Sequence, residues 1–295
     1  MTKIRSRDAS RIQDRRGEGG RASPMGLPGG LPGGLPMGGG LIGIVVVLAA
    51  LFLPRLLGGD AGAPSLSPGD GETADRDNPE ACQTEEEQIL CGGTNDVQDF
   101  WIRAFPSQFD GREYEPTDTV FFSGFTNTGC GQASSETGPF YCPLDSLVYF
   151  DLDFLAQLQE QFDAEGDLAT QYIVAHEYGH HIQNILGINA EVQRAQQQDP
   201  GKANEYSVAL ELQADCLAGV WANDADRRVQ LGDGEIEEAI DAAEAVGDDR
   251  IQQQTQGRID PESFTHGTSE QRATWFRRGY SSGSAGRCDT FAEVL

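Results

Sequence analysis

The chain has 295 residues with 47 acidic against 21 basic side chains, a formal net charge of −26. Seven of the bases but only three of the acids fall in residues 1–40, so the remainder carries a formal −30. A body this negative excludes nucleic acid and anionic lipid headgroups as partners, because both are polyanions.

Residues 1–36 are a basic segment that runs into the repeat "SPMGLPGGLPGGLPMGGG", which cannot bury a core and reads as a flexible tail. Residues 41–53 are an unbroken apolar run, and with their flanks (37–57) they approach the roughly 20 residues a membrane helix needs. The long basic region ahead of the run and the lack of a clean cleavage site favour a retained single-pass anchor over a cleaved signal. The one candidate site, Ala61 to Ala63, is followed by Pro64. The positive N-terminus is expected in the cytoplasm, with the rest of the chain outside the cell membrane and the lipid bilayer as partner. Residues 58–80 are Gly, Pro, Ser and acid, a linker by composition. Residues 81–295 are long enough for one domain.

All six cysteines, Cys82, Cys91, Cys130, Cys142, Cys216 and Cys288, lie beyond the apolar run. An even count on the outer side of a membrane suggests disulfides, although sequence does not choose the connectivity. Nearest-neighbour pairing gives Cys82 with Cys91, Cys130 with Cys142, and Cys216 with Cys288. A cysteine zinc site is disfavoured, since no CxxC spacing occurs.

Within the domain, "TVFFSGF" (119–125), "PFYC" (139–142) and "SLVYFD" (146–151) are short, aromatic and β-branched, and separated by Gly and Pro. They read as strands, the last two as a hairpin across "PLDS". From Phe154 the period changes. Helices are expected over 167–187, with Asp167 as N-cap and Gly187 as stop, over 205–222 and over 234–247.

Three of the chain's four histidines stand in "AHEYGHHI" (175–182). His176 and His180 are i and i+4 on the first helix, so their imidazoles share a face and can hold one metal ion. Glu177 edges the same site. This is the HExxH arrangement: two zinc ligands and a glutamate placed to take a proton from a water. His181 points about 100° away and reads as a packing residue. Gly179, costly in mid-helix, suggests close approach of another element. A catalytic zinc needs a third protein ligand, and "ELQAD" offers Glu211 and Asp215, again four apart. Glu211 would bind the metal, and Asp215 would accept the spare N–H of a ligating histidine. A solvated acidic helix face is the plainer reading, but the surrounding "VALELQADCLAGVW" is otherwise apolar, and an unpaired carboxylate on a buried face is costly.

"GCGQASSETGPFYCPLDSLVYFDLDF", "VAHEYGHHIQNILGI", "ELQADCLAGVWA", "GDDRIQQQTQGR" and "SFTHGTSEQRATWFRRGY", together with "RDASRIQDRRG" at the front, resemble the neutral zinc metallopeptidase family of membrane-anchored bacterial proteins. The resemblance implies an α+β, zincin-like domain, a small sheet over an active-site helix with a second helix supplying the last ligand. It also implies one catalytic zinc ion, a peptide or protein substrate, and peptide-bond hydrolysis by a zinc-activated water with Glu177 as general base. The family pattern makes His266 and Arg272 a pair that faces the metal and stabilises the oxyanion; His266 as a ligand in place of Glu211 is the competing assignment. An extended substrate would pair with an edge strand, for which "SLVYFD" is the candidate. The rival readings are a non-catalytic zinc-binding envelope protein, against which an intact Glu177 counts, and a zinc hydrolase of another class such as a peptidoglycan amidase.

Overall fold

The structure, a computed structural model, describes residues 4–16, 81–153, 167–232 and 234–294. Its strands are β1 (Ile12–Asp14), β2 (Thr119–Phe122), β3 (Phe125–Thr128), β4 (Gly131–Ser134), β5 (Phe140–Cys142) and β6 (Leu147–Asp151). The helices are α1 (Glu85–Gln108), α2 (Asp167–Leu186), α3 (Ile188–Gln198), α4 (Ala203–Val229), α5 (Glu235–Ala245), α6 (Asp248–Gln256), α7 (Ser269–Ser282) and α8 (Phe291–Val294). The class is α+β: a small mixed sheet and a two-stranded ribbon, with helices making up most of the rest.

The main sheet runs β1-β2-β6-β5. Every residue of "TVFF" in β2 is buried, as a strand needs when it is central and covered on both faces. β2 pairs in parallel with both β1 and β6, while β5 and β6 form the expected antiparallel hairpin. The segment expected at the sheet edge, "SLVYFD", is therefore interior: β6 has neighbours on both sides, and its Val148, Tyr149, Phe150 and Asp151 are buried. Among the described residues, the sheet edge on that side belongs to β5. The first expected strand, "TVFFSGF", stops at Phe122, and Phe125 begins a separate hairpin, β3–β4.

β1 comes from the segment assigned to the tail. Ile4 and Ile12 are buried in the core, the Ser6 N–H donates to the Gln88 carbonyl at 3.0 Å, and the Arg5 guanidinium grips Asp167 at 2.6 Å. Arg11 reaches the Asn95 carbonyl at 3.1 Å and Asp99 at 2.9 Å. Gly92 in α1 admits this segment, since a Cβ there would lie 2.5 Å from the Ile4 carbonyl oxygen. Residues 4–16 are thus part of the body, which corrects the boundary drawn at residues 1–36. The β1–β2 pairing joins segments from either side of the apolar run. The expected anchor (37–57) and linker (58–80) lie outside the described residues. Among the described residues no helix is long and apolar enough to cross a membrane.

α1 was not legible from periodicity: two glycines, Thr94 and Pro106 interrupt its apolar pattern. Its start is fixed locally by a capping box, in which Thr84 accepts from the Glu87 N–H and Glu87 reaches back to the Thr84 N–H. α2 begins at the expected Asp167, and Gly187, at φ +82°, turns the chain straight into α3. α2 passes α4 where Gly179 meets Ala214, a Cβ at Gly179 falling 2.9 Å from the Ala214 Cα. α4 crosses α7 closer still, with Gly219 against the Phe276 carbonyl and Gly279 against the Cys216 carbonyl. The three disulfides pair as nearest neighbours: Cys82–Cys91, Cys130–Cys142 and Cys216–Cys288.

Candidate metal centre

Helical spacing puts His176 and His180 on one face of α2, and the close passage at Gly179 brings α4 against that face. Nitrogen atoms of the two rings and a carboxylate oxygen of Glu211 consequently all lie within 4.8 Å of one another. His176 Nε2 is 3.2 Å from Glu211 Oε2, and His180 Nε2 is 3.4 Å from Glu211 Oε1. His266 is not in this group.

The far side of each ring is held. His176 Nδ1 donates to Asp215 Oδ1 at 2.8 Å, and His180 Nδ1 donates to Gln183 Oε1 at 2.8 Å. Gln183 is itself fixed, donating to the Leu210 carbonyl at 2.7 Å and to Gln213 at 3.1 Å, both on α4. With the protons at Nδ1, both Nε2 lone pairs turn towards the Glu211 oxygens. Two imidazole nitrogens and one carboxylate, with hydrogen-bonded outer nitrogens, are the donor chemistry of a catalytic zinc site. The charge fits as well. Glu177, Glu211 and Asp215 face the single guanidinium of Arg272, so with neutral imidazoles the pocket is negative by the amount a divalent cation neutralises.

The electrostatics express that excess. Burial opposes charge on His176, but the carboxylates of Asp215 and Glu211 more than reverse it and raise the ring to about 10. Burial likewise opposes charge on His180, and Glu211 overcomes it. Glu211 lies well below the usual carboxylate range: burial pushes up, and both histidines pull down harder. Glu177 goes the other way. It is buried, which raises its carboxyl, while the neighbouring imidazoles only partly offset the rise.

Asp215 anchors a second tier. It is fully buried, and it accepts from His176, from the Tyr172 hydroxyl at 2.6 Å, and from Arg272 at 2.8 Å (Nε) and 2.9 Å. Arg272 is 3 % exposed and also reaches the Val246 carbonyl at 3.3 Å. Its Nε and Nη2 meet Asp215, and the same Nη2 lies 3.5 Å from His176 Nε2 and 3.9 Å from Glu211 Oε2, beside the donors of the metal position. The close α4–α7 crossing is what delivers it there. His266 is buried on the turn before α7, with Nδ1 3.0 Å from Asp248 Oδ1. His181 packs edge-on to Tyr114 and Tyr178 and bonds the Tyr141 hydroxyl at 3.1 Å and the Glu115 carbonyl at 2.7 Å.

Gln183, Tyr172 and Asp248 were not singled out from sequence. Gln183 carried a usable signal, standing three residues after His180 on the same face. Tyr172 and Asp248 carried none, since their partners are fixed by packing.

The profile of the family described as "Putative neutral zinc metallopeptidase" matches residues 1–291. The chain is 41% identical over 298 residues to "Uncharacterized protein YpfJ" of Escherichia coli (strain K12), covering 98% of each. It is 48% identical over 209 residues to "Uncharacterized protein Rv2575" of Mycobacterium tuberculosis, covering 67% of this chain and 68% of that protein. No solved structure gives a significant match.

Proposed function

Since the chain belongs to the neutral zinc metallopeptidase family, we propose that it hydrolyses peptide bonds in a zincin-like site, with one zinc ion held by His176, His180 and Glu211. The observation that carries this reading is the convergence of those three donors beside a buried Glu177. A zinc ion bound there supplies a Lewis acid, which polarises a carbonyl and brings the pKa of a water to about 7.

Glu177 takes a proton from the attacking water on its carboxylate and returns it to the nitrogen of the leaving amine. Its burial raises the carboxyl, which makes it a stronger base than an exposed glutamate. Asp215 and Gln183 keep the Nδ1 protons in place, so neither ring can turn over. Arg272 neutralises Asp215, which would otherwise be a buried carboxylate facing Glu211. His266 stands by to donate towards the oxygen that becomes negative on attack. An extended peptide or protein substrate would pair with the edge of β5, which is the outer strand on that side among the described residues.

The bilayer enters this reading through the apolar run at 41–53.

The test is Glu177→Gln in the full chain. Zinc content and fold are expected to stay unchanged while cleavage of a mixed peptide library falls by about 10² to 10⁴. Normal turnover in that variant would end the assignment. A zinc site with no hydrolysis in either protein would favour the non-catalytic envelope protein.

A further inference from the structure

Asp248 is a buried carboxylate that the chemistry above does not use, and it spends all of its acceptor capacity on one turn. Its Oδ2 accepts the backbone N–H groups of Thr265, His266 and Gly267 at 2.6, 2.7 and 3.3 Å. Its Oδ1 meets His266 Nδ1 at 3.0 Å. The Asp248 N–H in turn donates to the Gly267 carbonyl at 2.9 Å.

The turn is pressed into position from two sides. A Cβ on Gly247 would fall 2.3 Å from the Ser269 backbone nitrogen, so α6 and the start of α7 touch through backbone. Gly267, at φ +87°, would place a Cβ 3.2 Å from Val208 and 3.4 Å from Leu212. Those residues flank Glu211 on α4. The turn that carries His266 therefore leans on the same helical stretch that supplies the third metal donor.

We infer that Asp248 is a positioning residue for His266: it holds the Nδ1 proton and the ring plane, and leaves the Nε2 edge as the one that meets substrate. The inference rests on the peptidase reading for what Nε2 does there, but the ring's proton position is independent of it. A carboxylate that only braced the turn would be satisfied by the three backbone N–H groups. The fourth bond, to the imidazole, gives His266 a direction, and the Thr265 hydroxyl meets the same Nδ1 at 3.1 Å.

Nitrogen NMR of the imidazole in the unmodified full-length protein comes first. The neutral ring is expected to carry its proton on Nδ1; a proton found on Nε2 overturns the proposal without any variant having to fold. Asp248→Asn follows, and the neutral ring should then populate both proton positions. With zinc content unchanged, kcat should drop on the order of tenfold or more and KM should change little, the loss being bounded by that of His266→Ala. In the double variant, Asp248→Asn should add nothing to His266→Ala, because a residue acting through another is silent once that partner is gone. Full additivity, or an unchanged proton position in Asp248→Asn, overturns the proposal. If the unmodified protein cleaves no peptide, the NMR result still decides the geometric claim while the peptidase reading fails by itself.

Discussion

His176 shows how much one side chain depends on residues that never touch the metal position. Its Nδ1 bond goes to Asp215, and Asp215 is held by Tyr172 and Arg272. Losing Glu211 removes a donor, so Glu211→Ala is expected to lose zinc outright in a metal assay. Asp215→Asn keeps the donors and should weaken zinc binding by about 10 to 100-fold. The reverse ranking would exchange the two roles. Arg272→Ala leaves Asp215 buried without its cation, a change that costs about 3–5 kcal/mol, and urea unfolding would measure it. His181 gives a pH signature. Burial holds its imidazole below the ordinary value, and the bond from its ring to the Glu115 carbonyl offsets this only in part. The unfolded chain therefore takes up this proton first as pH falls. The contribution of His181 is complete above the unfolded pKa of about 6.5 and is lost as pH falls towards the folded value. Urea midpoints between about pH 7.5 and 5.5 should fall less steeply in His181→Phe than in the parent; equal slopes would show that His181 binds its proton equally in both states.

At the scale of elements, two contacts made by backbone decide the architecture. The α4–α7 crossing has a glycine on each helix, and a Cβ on Gly279 would sit 1.9 Å from the Cys216 carbonyl oxygen. Backbone cannot yield as a flexible side chain does, so Gly279→Ala has to separate the helices. It should cost several kcal/mol and drag Arg272 off Asp215, visible as a lower unfolding midpoint together with weaker zinc binding. The other contact is β1 on β2. A chain lacking residues 1–16 uncovers the buried edge of β2 and leaves the Ile4 and Ile12 positions empty. Each buried isoleucine is worth roughly 1.5–3 kcal/mol, and a synthetic peptide of residues 4–16 should recover part of the lost thermal stability. In whole cells, tags at the two termini of the full chain should show the same protease accessibility. Opposite accessibility would mean that β1 does not dock in the cell.

For the molecule as a whole, the disulfides tie the periphery to the site. Cys216 follows Asp215 directly, and its bond to Cys288 closes a loop of 72 residues that contains His266 and Arg272. Gln213 reinforces the closure by donating to the Cys288 carbonyl at 3.0 Å. Reduction should lower stability by about 2–4 kcal/mol and loosen α7 before α2, which hydrogen exchange under reducing and oxidising conditions would resolve. The negative surface and the negative pocket are separate matters. The first comes from exposed acids spread along the chain, the second from buried carboxylates that α2 and α4 bring together.

What sequence determined by itself is what lies within one or two helical turns. The spacing of His176, Glu177 and His180 fixes a shared face before any tertiary contact forms, and the same holds for Glu211 and Asp215, because helical geometry is local. The β5–β6 hairpin and the short-range disulfides were legible for the same reason. Tertiary structure alone decided which partners met across long separations. It placed β6 inside the sheet, because a strand's position depends on which other strands arrive, and β1 comes from more than a hundred residues upstream. It turned Arg272 onto Asp215 and set Asp248 against His266, because both contacts follow from how closely helices can pass where glycine leaves the backbone bare.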